Sequence, residues 1–91
     1  MTHVPHELHE EFPDDYEVLH RLQVEDAHFA RLADEYHGIN RQIHRIESNV
    51  EPASDVHSEE LRRQRLRLKD EIAGLLRAAS DVAGEVAQRV V

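Results

Sequence analysis

The chain contains no cysteine and no tryptophan, and its only aromatic residues are two phenylalanines and two tyrosines. The missing cysteine excludes disulfides and thiol chemistry and suits a reducing compartment. With so few aromatics the core must be aliphatic and thin. No apolar run approaches the roughly 18–20 residues that a membrane span requires. The acidic, histidine-rich start from Met1 to Glu11 has neither the basic head nor the greasy middle of a signal peptide. A cytoplasmic protein is the expectation. Signatures of catalysis are also missing: there is no G-x-S-x-G, no phosphate-binding glycine loop and no H-E-x-x-H. His6-Glu7 and His9-Glu10 are sequence neighbours without a concave site to exclude water. The sequence therefore argues for a non-enzymatic protein without a cofactor.

What is present is charge and rhythm. The 91 residues suit one small domain, and 19 acidic against 11 basic side chains give a formal net charge of −8. On average that field repels nucleic acid and anionic membranes. Charged residues make up 33% and hydrophobic ones 40%, a mixture too apolar for wholesale disorder.

Phe29, Leu32, Tyr36, Ile39, Ile43, Ile46 and Val50 alternate spacings of three and four without a break. Their mean spacing of about 3.5 residues places them on one narrow stripe of an α-helix, a seam made to meet another helix. Asp26 is positioned to cap this helix, with a break near Val24–Asp26, and Asp14 or Asp15 to cap a shorter one over roughly 16–23. Asn49 and Pro52 end the long helix, and Ser54 or Asp55 starts the next. There Leu61, Arg65, Leu68, Ile72, Leu75 and Ala79 continue the four–three spacing.

A short turn between two long amphipathic helices makes them antiparallel neighbours. The expected fold is all-α: a coiled-coil-like antiparallel hairpin with a short N-terminal helix, assembling into a helical bundle. Residues 1–13 read as a flexible, acidic, histidine-rich segment, 14–79 as the hairpin domain with its turn near 49–55, and 80–91 as a frayed helical extension.

Leu66, Ala73 and Leu76 lie at spacings of seven and three behind the inward stripe. They form a candidate second seam for a second copy, giving a dimer or tetramer, or for a protein partner. Such support is what a thin hairpin needs. His3, His6 and His9 recur every third residue among Glu7, Glu10 and Glu11, a weak candidate set for a transition metal. The alternative function is thus a metal-binding protein using these histidines. His37 and His44, one heptad apart, are candidates for a pH-sensitive pair. The basic cluster Arg62, Arg63, Arg65, Arg67 and Lys69 is spread around its helix without an aromatic platform. It reads as ion pairing that sets hairpin register rather than a nucleic-acid surface. Arg65, at an inward position, is expected to pair with an acid such as Glu47.

The run Arg65-Leu66-Arg67-Leu68-Lys69-Asp70-Glu71-Ile72 carries a family resemblance, with Asp26-Ala27-His28-Phe29-Ala30-Arg31-Leu32 upstream and Pro52-Ala53-Ser54-Asp55 in the turn. It resembles the YdcH-like family of small bacterial proteins over about residues 16–77. The resemblance implies a helical hairpin, usually self-associating, in the bacterial cytoplasm, with no established biochemical activity. Members often carry proline where this chain has Ala27 and an aromatic near Ala73.

Overall fold

The computed structural model describes the backbone of residues 4–90 and the side chains of residues 4–80. His3, one of the metal candidates, lies outside the described residues, as do the side chains of the C-terminal extension from residue 81. Helix α1 spans Leu8–Glu11, and a single 3-10 turn at Pro13–Asp15 leads into α2, Tyr16–Glu25. Helix α3 runs Ala27–Glu47 and α4 runs Asp55–Val90. Among the described residues there is no strand, and no helix is long and apolar enough to cross a membrane.

The ends of the hairpin helices have local causes, whereas Asp15, expected to cap α2, makes no side-chain cap hydrogen bond. Asp26 adopts an extended conformation (φ −118°, ψ 108°), and its carboxylate accepts from the amides of His28 and Phe29 at 3.0 and 3.1 Å. Two otherwise orphaned amides at the start of α3 are thereby satisfied. At the other end Asn49 takes a left-handed conformation with φ 61°. Its amide donates to the Ile46 carbonyl at 3.1 Å and that of Val50 to Arg45 at 2.9 Å, the pair of bonds that defines a Schellman cap. The chain is turned outward here, which is why Val50 leaves the seam and is 71% exposed. In α4 the Ser54 hydroxyl accepts from the amide of His57 at 3.1 Å. Asparagine tolerates the left-handed region and a β-branched side chain does not. Asn49→Val is therefore expected to cost about 1–2 kcal/mol and Asn49→Gly nothing, read from urea-unfolding midpoints.

Helices α3 and α4 pack against each other as an antiparallel hairpin. Its register is fixed by Arg62 on Glu47 at 3.3 Å and Arg65 on Asn40 at 3.0 Å. Phe29, Leu32, Tyr36, Ile43, Leu61, Leu68 and Ile72 of the expected seam are buried, while Ile39, Ile46 and Leu75 are half-buried. Helix α2 folds back across the single residue Asp26 and packs on both α3 and α4. Its Leu19 and the Leu8 of α1 join Phe29, Ala33, Tyr36, Ile72 and Leu76 in one core. The molecule measures 56 × 28 × 20 Å, with a radius of gyration of 15.7 Å. A compact chain of this length would be near 12 Å.

Three expectations change. Leu76 belongs to the core, 2% exposed, because the third helix widens the inward face of α4; Leu66 stays outside at 59% and Ala73 is intermediate. The segment expected to be flexible is docked from Val4 onward, with Leu8 1% exposed. Finally, the extension expected as a frayed helix from residue 80 is a continuous part of α4 through Val90, helped by the helix-favouring Ala78, Ala79, Ala83 and Ala87.

Candidate functional site

The face of the hairpin that carries the most specific chemistry is the one on which residues 4–12 lie. Pro5 and His6 form a turn in which His6 is held at φ 64°. A left-handed histidine is unfavourable by itself, yet both carbonyls of the turn are engaged by the hairpin. The Tyr36 hydroxyl donates to the His6 carbonyl at 2.6 Å, and the Asn40 amide to that of Pro5 at 2.9 Å. The Asn40 side-chain oxygen in turn accepts from Arg65 at 3.0 Å. Asn40 is 1% exposed, and no buried side-chain nitrogen or oxygen among the described residues lacks a partner. Arg65 thus meets Asn40, the residue facing it across the hairpin, instead of Glu47, which Arg62 takes.

Carboxylates frame this contact. Glu7 lies 2.6 Å from Nδ1 of His37, and Glu11 lies 2.7 Å from Nδ1 of His6 and 3.4 Å from Nζ of Lys69. Leu8, between the two glutamates, fills the core. The hairpin therefore holds its own residues 4–12 in two ways. Two main-chain carbonyls are bonded by hairpin side chains, and a buried leucine is flanked by two acids that meet His37 and Lys69.

Burial pushes the Tyr36 hydroxyl up to about 12, and Glu11, Glu7 and Glu10 add to the rise while Arg65 opposes it. A raised value for a group that is neutral when protonated stabilises the fold below the ordinary value of 10.0, and that stability is lost as pH climbs through 12. In a Tyr16→Phe background only Tyr36 contributes to the phenolate band. Absorbance at the phenolate band should then show a midpoint near 12, whereas a midpoint near 10 would mean that the hydroxyl is free.

For Glu11, burial raises the carboxyl, but the His6 hydrogen bond and the Lys69 charge together outweigh it, and the net shift is downward. A depressed acid stabilises the docked state above its ordinary value of 4.5, and that contribution fades as pH falls through the lower folded value. Protection of the amides of residues 8–12, relative to their intrinsic exchange at the same pH, should fall in this acidic window, and Glu11→Gln should remove that dependence.

The other candidates are dispersed. His6 is engaged by Glu11, while His9 lines a small cleft of about 180 Å³ with Leu8, Tyr16, Leu19, His20 and His37. Among the described residues no group of three or more His, Cys, Asp or Glu could hold a metal ion. His37 meets Glu7 rather than His44. Of the basic cluster, Arg62 makes an ion pair across the hairpin with Glu47, whereas Arg65 donates to the neutral Asn40 and Lys69 to Glu11 of α1. The residues that sequence reasoning missed are Asn40, Leu8, Glu7 and Glu11. Asn40 had a signal: with Tyr36 and Ile43 of the apolar stripe, Ala33 and Asn40 follow the same alternating spacing of three and four.

The hairpin also settles kinship. Residues 29–76 match the family described as protein of unknown function (DUF465). The chain belongs to this family. The matched span covers more than half of the 91 residues and takes in nearly all of α3, the turn and α4 as far as Leu76. It agrees with the YdcH-like resemblance of the sequence. Comparison with curated proteins and with solved structures finds no match. Residues 4–25 of this DUF465 protein lie outside the matched span, yet they supply the arm docked on the family hairpin.

Proposed function

We propose that this DUF465 protein is a non-enzymatic protein-interaction module of the cytoplasm, working through helix packing and through recognition of a short acidic segment anchored by leucine. One observation supports this above all: the hairpin holds residues 4–12 by two main-chain carbonyls, donated to by Tyr36 and Asn40, and by a leucine that is 1% exposed. A surface that grips backbone acceptors and one apolar anchor is a surface for peptides. The outer face of α4 adds a second place of contact, since Leu66 is 59% exposed beside the exposed Arg63 and Arg67.

The test uses the full-length chain carrying Leu8→Glu, in which the arm is released. A labelled peptide of residues 4–13 should bind this variant saturably by fluorescence anisotropy. Binding to the wild type should be much weaker, because its own arm competes at high effective concentration. A peptide in which Leu8 is replaced by Glu should not bind. A folded variant that ignores the wild-type peptide would overturn the reading.

A further inference from the structure

The heptad phase of the chain carries across the corner between α2 and α3, with the charged Asp26 at the corner itself. Leu19, Leu22, Asp26, Phe29, Ala33 and Tyr36 follow one another at alternating spacings of three and four, straight through the one residue that separates the helices. A bent arrangement does not require this, because the corner alone decides which side of α2 faces inward. A single continuous helix does. Were Asp26 to turn helical, residues 16–47 would form one rod of roughly 48 Å, with Leu19 and Leu22 extending the stripe of Phe29 and Tyr36. Residues 4–25 would then leave the hairpin on which they lie.

The released arm has one partner whose fit is already on display, the same hairpin face of a second copy. It offers the Tyr36 and Asn40 donors, His37 and Lys69 for the two glutamates, and the core site of Leu8. Exchange between copies remakes these contacts, and a connection of a single residue is the kind of short hinge that favours it. We therefore propose that this protein forms an arm-exchanged dimer in which α2 and α3 of each copy join through Asp26 and residues 4–25 occupy the hairpin face of the other copy. The proposal rests on the peptide-recognition reading above and adds to it the identity of the peptide.

Two substitutions at the hinge pull in opposite directions. Ala27→Pro places proline at the first position of α3, where the bent form accepts it. It also confines Asp26 to the extended conformation that it already has. In the continuous helix the same proline is internal and weakens dimerisation by on the order of a hundredfold per chain. Asp26→Ala removes the cap on His28 and Phe29, tipping the balance toward the continuous helix by about fivefold per chain.

Light scattering of the full chain over a concentration series reads both. The expected result is a wild-type mass of twice the 10.6 kDa chain, reduced to one chain by Ala27→Pro with helicity retained, and a dimer persisting to lower concentration in Asp26→Ala. A wild type and an Asp26→Ala variant that both stay monomeric would overturn the exchange, as would a dimer indifferent to Ala27→Pro. In either case, binding of the labelled peptide to the Leu8→Glu chain would show that recognition stands without exchange. Absence of that binding would remove both.

Discussion

Replacing Leu76 with lysine is expected to unfold the protein, while replacing Leu66 with lysine should leave stability within about 0.5 kcal/mol of the wild type. The two leucines lie ten residues apart on α4, and the sequence assigns both to the same outer stripe. The structure separates them: Leu76 is 2% exposed within the core shared by α1, α2 and the hairpin, and Leu66 is 59% exposed. Lysine at 76 forfeits about 2–3 kcal/mol of apolar burial. It also places a charge without a partner in the interior, a further penalty of several kcal/mol. A domain of this size has roughly 5–14 kcal/mol in total, and an elongated one with a thin core belongs at the low end. Thermal melts followed by circular dichroism should show a broad or missing transition for Leu76→Lys and a wild-type melt for Leu66→Lys. Two similar melts would mean that the third helix does not cover α4.

Leu8→Ala is expected to undock the arm without unfolding the hairpin. Removing a buried leucine side chain lowers the docking free energy by about 2–4 kcal/mol, on the order of 30- to 1,000-fold in population. Contacts that remain include two hydrogen bonds to main-chain carbonyls, the partly exposed pairs of Glu7 with His37 and Glu11 with Lys69, and the packing of Phe12 on the core. Each such bond contributes about 1 kcal/mol net and each such pair less. Against them stands the entropy of ordering the arm. Hydrogen exchange should therefore show loss of protection at the amides of Glu10, Glu11 and Phe12, which bond to the carbonyls of Glu7 and Leu8. Amides in the centres of α3 and α4 should remain protected, because opening of the arm is local. Equal exchange at residues 10–12 in wild type and variant would mean that Leu8 does not anchor the arm.

The contrast between these leucines shows where the sequence is legible. The hairpin rests on repeated local signals, the alternating stripe of α3 and the caps at Asp26, Asn49 and Ser54, each acting within a few residues of itself. Where the signal depends on a third element it fails. Nothing along α4 alone says that Leu76 is covered and Leu66 is not, since that depends on where α2 lies. Helix α1 has four residues, too few for any periodicity to mark Leu8 as inward. The docking of the arm is held by carbonyls of Pro5 and His6, groups that every residue carries and no sequence pattern displays. Arg65 was legible as inward but its partner was not, because a buried asparagine in an apolar stripe reads first as an interruption. Val50 fits the stripe by number, yet the left-handed Asn49 just before it has already turned the chain away.

The absence of cysteine allows one direct test of the docked arm. A nitroxide on His9→Cys would be the single label in the chain, at an exposed position beside the cleft shared with His20 and His37. Paramagnetic broadening of the amide spectrum then maps where the arm lies. With the arm on the hairpin, signals of His20, Gln23 and His37 should be strongly attenuated, and those of the turn around Pro52–Ser54 should persist. Weak broadening spread evenly over α3 and α4, with no maximum at His37, would mean that the arm is free and would contradict the account of this hairpin as a peptide-recognition surface.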